Sequence, residues 1–125
     1  MNPHPQKSTG GLQRIFNATS YSIDGLRAAC VHEAAFRQEL VVCVILLPLA
    51  FCFDVSGVER ALMIFSLLLV LIIELVNSAI EAIVDRVSQE KHPLSKRAKD
   101  IGSAAVLISL INIAVIWACI LIPKF

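Results

Sequence analysis

The chain has 125 residues, enough for one domain, of which 57% are hydrophobic and only 17% are charged. This composition excludes a disordered chain, a collagen-like chain and a secreted cysteine scaffold, and it argues against a water-soluble globule. The formal net charge is +1 at pH 7, so total charge points neither to nucleic acid nor to an acidic partner.

The N-terminal segment is predicted to form an amphipathic helix at a membrane surface. Apolar residues recur there at helical spacing beside Arg14 and Arg27, which is typical of such helices. We expect the helix to break within residues 21–25, where Ser22 or Asp24 would cap a new start. A helix that merely anchors the chain would show the same pattern.

Three long apolar stretches follow and predict an all-α membrane protein. They are long enough to cross a bilayer, at about residues 36–53, 58–84 and 100–122. Ser95 is the expected N-cap of the third helix. We therefore divide the chain into a cytoplasmic surface segment, residues 1–39, and a three-span transmembrane domain, residues 40–125.

The basic residues predict the orientation of the spans. The N-terminal segment and the loop between the second and third spans hold 9 of the 11 Lys and Arg residues. Because basic segments are retained in the cytoplasm, we expect the N-terminus inside and the C-terminus outside. No removable signal peptide is recognised before the first span.

The second span carries its polar residues on one helical face. Asn77, Ser78 and Glu81 each fall within about 60° of Glu74 around the helix axis. An ionisable group inside an apolar span costs roughly 2.5 to 3.5 kcal/mol and indicates a function, whereas Ser78 is expected to join helices by hydrogen bonding. Paired carboxylates suit Mg²⁺ bound to phosphates, and a carboxylate not bound to metal could take a proton from a hydroxyl.

Three helices of one chain are too few to enclose the polar face, so we expect neighbouring copies to bury Glu74 and Asn77.

The other charged groups have simpler explanations. Glu33 and Arg37 are four residues apart and predict a surface salt bridge. The charged loop over residues 90–100 is what any basic cytoplasmic loop would show.

Four segments of the sequence closely resemble the prokaryotic integral-membrane diacylglycerol kinase family. They are Gly25–Ala29, Glu33–Glu39, Glu74–Glu81 and Ala98–Ala105. The pattern E-x-x-N-S-x-x-E followed by A-K-D-x-G-S-A-A is highly specific, and the similarity extends over roughly residues 11–122. The resemblance implies a homotrimeric kinase of the bacterial inner membrane that transfers the γ-phosphoryl group of MgATP to diacylglycerol, giving phosphatidic acid and ADP.

The resemblance also implies roles for individual residues. Glu74 would be the catalytic base on the lipid hydroxyl, with Asn77 supporting the site. Glu33 and Glu81 would hold the Mg²⁺ ion of MgATP. Besides these two glutamates, the nucleotide would contact Arg14, Tyr21, Glu90, Lys91, His92, Lys99 and Asp100. Besides Glu74, the lipid would contact Arg14, Ser20, Ser22, Ile23, Arg27, Cys30, Ala35, Glu39, Arg60 and Ser103.

Two other functions stay open from the residues alone. A polyprenol kinase of similar build would use the same hydroxyl chemistry on a different lipid. A small proton-coupled transporter would need only a buried carboxylate such as Glu74, and would have no use for Mg²⁺ or for Lys99 and Asp100.

Overall fold

The computed structural model describes residues 10–125, and nearly all of them are helical. The helices are α1 (Gly11–His32), α2 (Ala34–Cys52), α3 (Gly57–Val87) and α4 (Pro93–Leu121), and a 3₁₀ turn (Ile122–Lys124) follows. Helices α2, α3 and α4 are long and apolar enough to cross a membrane. The prediction of an all-α protein with three membrane spans is confirmed.

Helix α1 is continuous, so the predicted break within residues 21–25 is wrong. The Ser22 hydroxyl donates to the Ala18 carbonyl at 2.8 Å, which satisfies it inside the helix instead of at a new N-cap. Gly25 has no positive φ and continues the helix. The apolar side chains of α1, Ile15 and Phe16 among them, are exposed, as expected for a helix that lies on a membrane surface.

Helix α3 is the longest element, with 31 residues and a length of about 46 Å. It begins with a capping box in which Ser56 Oγ accepts from the Glu59 N–H at 3.1 Å and Glu59 Oε1 accepts from the Ser56 N–H at 2.9 Å. Lys124 Nζ also lies 3.3 Å from Glu59 Oε1. The start of α3 is therefore tied to the C-terminal end of the chain.

The apolar core lies near that same end. Met63 and Ala50 are fully buried and pack with Ile120, and the Trp117 indole donates to Ser66 Oγ at 3.2 Å. This hydrogen bond satisfies the indole N–H in an apolar environment. The contacts join α2, α3 and α4 at the end of the bundle where α2 is followed by α3.

At the opposite end, α4 begins earlier than the sequence predicts. His92 is its N-cap, and its Nδ1 accepts from the Leu94 N–H at 3.1 Å. Pro93 occupies the first helical position, where its missing N–H leaves no hydrogen bond unmade. Ser95 already lies inside the helix, so the predicted cap at Ser95 is wrong.

Candidate active site

The polar face of α3 points into the chain. Glu74 is 3% exposed, Asn77 is 7% exposed and Ser78 is 9% exposed, while Glu81 is half-buried. Helix α3 packs against both α2 and α4, so its polar side is covered within a single chain. The grouping of these side chains on one face is confirmed, whereas the expectation that neighbouring copies must bury Glu74 and Asn77 is wrong.

The close approach of α4 at Gly102 explains the burial of Asn77. A Cβ atom placed on Gly102 would overlap Asn77 Oδ1 and would lie 3.1 Å from Asn77 Cγ. Because glycine has no Cβ, the backbone of α4 packs directly on the amide, as small residues allow between membrane helices. The packing of α4 on α3 thus buries Asn77 within a single chain.

The Asn77 amide contacts Gly102 of α4 on one side and Glu81 of α3 on the other. Its Nδ2 donates to Glu81 Oε1 at 3.4 Å, one turn further along α3. Among residues 10–125, Asn77 Oδ1 and Glu39 Oε2 are buried oxygens without a hydrogen-bond partner. Buried polar atoms without partners are uncommon and point to a bound water, ion or substrate.

Glu33 enters the site from the junction of α1 and α2. It is the single non-helical residue between the two helices, and its N–H donates to the Ala29 carbonyl at 2.9 Å. Its side chain makes no capping hydrogen bond. Arg37 Nη1 donates instead to the carbonyls of Cys30 at 2.9 Å and Val31 at 3.1 Å.

The predicted salt bridge between Glu33 and Arg37 is therefore wrong. The Arg37 guanidinium reaches back to the unpaired carbonyls at the end of α1, which helix ends leave available. In the described part of the chain, no ion pair joins Arg37 to Glu33. The Glu33 carboxylate is therefore not held by Arg37 and can bind a ligand.

Four carboxylates lie close enough in this region to interact electrostatically: Glu33, Glu39, Glu74 and Glu81. The charges of Glu81 and Glu33 act on Glu74, and the charge of Glu74 acts on Glu39. Within residues 10–125, no group of three or more His, Cys, Asp or Glu side chains is arranged to hold a metal alone. Mg²⁺ commonly takes only one or two protein carboxylates and fills its shell with water and phosphate oxygens, which Glu33 and Glu81 can match.

A cavity of about 780 Å³ lies between the end of α3 and the start of α4. This volume is in the range of small-ligand sites. Five of the predicted nucleotide contacts line it: Glu90, Lys91, His92, Lys99 and Asp100. His92 lines the cavity, and its imidazole Nδ1 caps α4.

Two ion pairs flank the cavity. Lys99 Nζ lies 2.7 Å from Asp85 Oδ1, and Lys96 Nζ lies 2.6 Å from Asp100 Oδ2. The charge of Glu81 also acts on Lys99. Lys99 therefore connects the cavity to the acidic face of α3.

Comparison with known proteins identifies the family. Residues 20–121 match the prokaryotic diacylglycerol kinase family. The chain belongs to this family. It is 60% identical to the diacylglycerol kinase of Pseudomonas aeruginosa over 122 residues, which cover 98% of this chain and 99% of that protein. Identity to the diacylglycerol kinase of Escherichia coli K12 is 54% over 118 residues, 94% of this chain and 97% of that one.

More distant members align over a similar length. The diacylglycerol kinase of Helicobacter pylori 26695 is 42% identical over 115 residues, covering 92% of this chain and 90% of that protein. The family resemblance predicted from four short segments is confirmed.

Several predicted contacts of the family lie far along their helices from the site carboxylates. Arg14 and Tyr21 lie on α1, about 28 Å and 18 Å along the helix from Glu33. Arg60 lies about 21 Å along α3 from Glu74. The Arg60 guanidinium donates to the carbonyls at the end of α2, those of Ala50 and Phe53, each at 3.1 Å.

The predicted lipid contacts are similarly dispersed. Glu39 is the one that lies beside Glu74, and Cys30 is half-buried near the junction of α1 and α2. The others are exposed on the chain surface: Ser20, Ser22, Ile23, Arg27, Ala35 and Ser103. Their contacts with lipid stay predictions.

The sequence does not predict the contacts that three residues of this region make. Gly102 gives α4 its close approach to Asn77, and its position among small residues of an apolar segment was an available signal. Asp85 pairs with Lys99, and it lies on the same side of α3 as Glu74. Arg37 organises the junction beside Glu33 through backbone carbonyls, for which spacing gives no signal.

Proposed function

We propose that the chain is a lipid kinase that transfers the γ-phosphoryl group of ATP to the free hydroxyl of diacylglycerol, releasing phosphatidic acid and ADP. The observation that carries the proposal is the identity of 54% and 60% to two proteins named diacylglycerol kinase, over nearly their full lengths. The arrangement of a buried carboxylate beside a charged cavity is consistent with this chemistry.

Glu74 is the proposed general base. Its carboxylate is buried among other acidic groups, where it can accept the proton of a hydroxyl brought within hydrogen-bonding distance. Diacylglycerol is uncharged, so it can enter sideways between the spans with its acyl chains still in the bilayer. Deprotonation by Glu74 prepares the lipid oxygen to attack the terminal phosphorus of ATP.

Glu33 and Glu81 are the proposed Mg²⁺ ligands, together with phosphate oxygens of the nucleotide. Bound Mg²⁺ neutralises charge on the transferring phosphoryl group. Asn77 supports the site through its hydrogen bond to Glu81. Lys99 and the other cavity residues hold the phosphates, because phosphoryl transfer needs alignment and charge neutralisation more than covalent help.

We further propose a homotrimer in the bacterial inner membrane, with residues 1–39 and the loop after α3 in the cytoplasm and the C-terminus in the periplasm. The basic residues support this orientation, since 9 of the 11 lie on the proposed cytoplasmic side. The distance of Arg14 from Glu33, about 28 Å along α1, is consistent with the oligomer. If Arg14 contacts the nucleotide, α1 of a neighbouring copy would supply it.

The test is lipid-dependent phosphorylation by the purified full chain in detergent micelles. With diacylglycerol, MgATP and radiolabelled γ-phosphate, we expect labelled phosphatidic acid, and no product when the lipid or Mg²⁺ is omitted. Failure to form it would overturn the proposal. A polyprenol added in competition tests the alternative lipid, and proton flux into vesicles without lipid-dependent ATP consumption would favour a transporter.

A further inference from the structure

We infer that Gly102 is a positioning residue of the phosphotransfer site: it keeps the Asn77 amide in the orientation that places the NH₂ group on Glu81. The inference rests on the proposed function, because it concerns how Glu81 is prepared for MgATP. Gly102 itself touches no reacting atom, and its effect passes through Asn77.

The contact between the two helices leaves no room for a side chain at position 102. Asn77 Oδ1 occupies the space that a methyl group on Gly102 would take. The Asn77 side chain is short and 7% exposed, so it has little space into which it can move. Adding a methyl group at Gly102 therefore has to rotate the amide or separate α4 from α3.

The chemistry of the amide makes its orientation important. Only the Nδ2 end can donate to the Glu81 carboxylate, whereas the Oδ1 end can only accept. With Oδ1 against Gly102, Nδ2 reaches Glu81 Oε1 at 3.4 Å. The Cα–H groups of glycine are weak donors that tolerate a carbonyl oxygen at close range. The hydrogen bond to Glu81 and the contact with Gly102 therefore favour the same orientation of the Asn77 amide.

This close approach is specific to one glycine. A Cβ atom placed on Gly10, Gly11, Gly25 or Gly57 would have nothing within 4 Å. Those glycines can become alanine without a steric clash, and Gly57 lies on α3, the same helix as Asn77. Gly57→Ala is thus the matched control for Gly102→Ala.

The experiment compares metal binding by these two variants in the full chain. Mn²⁺ replaces Mg²⁺, a non-hydrolysable ATP analogue is present, and the loss of free Mn²⁺ signal in electron paramagnetic resonance reports binding without turnover. Disturbing a group that orients a metal ligand typically costs 10- to 100-fold in affinity. We expect a loss of about that size for Gly102→Ala and none for Gly57→Ala. Unchanged Mn²⁺ binding by Gly102→Ala would overturn the inference.

Repeating the Gly102→Ala substitution in an Asn77→Ser variant shows whether Gly102 acts through Asn77. In Asn77→Ser the shorter side chain makes room for the added methyl group, so Gly102→Ala should change Mn²⁺ affinity by less than about twofold there. An equal loss in both backgrounds would mean that Gly102 acts elsewhere. If Gly102→Ala alone does not fold, a folded double variant that binds like Asn77→Ser supports the inference, and an unfolded one overturns it.

The same measurements separate this inference from the proposed function. If Asn77→Ser and Glu81→Gln weaken Mn²⁺ binding but Gly102→Ala does not, the inference alone fails. If Asn77→Ser and Glu81→Gln bind Mn²⁺ like the unaltered chain, the proposed metal site is wrong and the role of Gly102 falls with it.

Discussion

Lys99 Nζ lies 2.7 Å from Asp85 Oδ1 and connects the last part of α3 to the first part of α4 at the wall of the cavity. The two side chains are 42% and 62% exposed. An ion pair this accessible contributes at most about 1 kcal/mol to stability. Its importance lies in where it holds the Lys99 ammonium before ATP arrives.

Replacing the two partners should therefore have different effects. In Lys99→Met, the KM for ATP should rise about tenfold or more, because a cation proposed to face the phosphates is lost. In Asp85→Asn, which keeps the lysine, the KM should stay unchanged or fall. Initial rates at varied ATP and fixed diacylglycerol measure both values. An equal rise in both variants would show that the ion pair, rather than the lysine charge, is what binding requires.

Glu74→Gln tests the general base. The substitution keeps the size of the side chain but removes its ability to accept a proton, so kcat should fall by roughly 10²- to 10⁴-fold. Binding of a non-hydrolysable ATP analogue should be retained. Glu59→Gln on the same helix is the control, since glutamine also serves in a capping box. A Glu74→Gln enzyme with near-normal kcat would exclude Glu74 as the base.

Glu81→Gln and Glu33→Gln test the metal ligands. Each variant removes one negative charge from the cluster, and affinity for a hard cation depends on the charge of its ligands. The Mg²⁺ concentration for half-maximal rate should rise roughly tenfold or more in each. Asp24→Asn, an exposed change on α1, should leave it unaltered. Saturation at the same Mg²⁺ concentration in all three variants would contradict the assignment.

Met63→Ala separates stability from chemistry. Met63 is fully buried in the apolar core. Truncating a buried methionine to alanine lowers the free energy of unfolding by roughly 2 to 5 kcal/mol, because a cavity remains. Leu62→Ala, at an exposed neighbouring position, should cost much less. Unfolding in mixed micelles of increasing denaturing detergent measures both. The kcat of folded Met63→Ala should be normal, since the core lies away from Glu74.

The sequence alone predicts the spans and the acidic face because both are repetitive signals. Apolar length identifies α2, α3 and α4, and helical spacing alone brings Glu74, Asn77 and Glu81 to one side. These features depend on residues within one helix, so no knowledge of the packing is needed to find them.

Features that depend on contacts between helices could not be predicted in the same way. The burial of Asn77 depends on how closely α4 approaches at Gly102, and the hydrophobic pattern does not encode that distance. Arg37 was paired with Glu33 because spacing reports side-chain neighbours but not free backbone carbonyls at a helix end. The break expected at Ser22 was wrong for a related reason: a serine can cap a helix or bond within it, and the local sequence permits both.

The junction at Glu33 restricts the number of residues between α1 and α2 as well as their identity. A single residue turns α1 into α2, and Arg37 fastens the last carbonyls of α1 to the start of α2. Because successive helical residues are rotated by about 100°, one residue inserted into or deleted from α1 beside Glu33 would turn the apolar side of α1 relative to α2. Relatives that share this geometry should tolerate exchange of side chains along α1 far better than a change in register at its end.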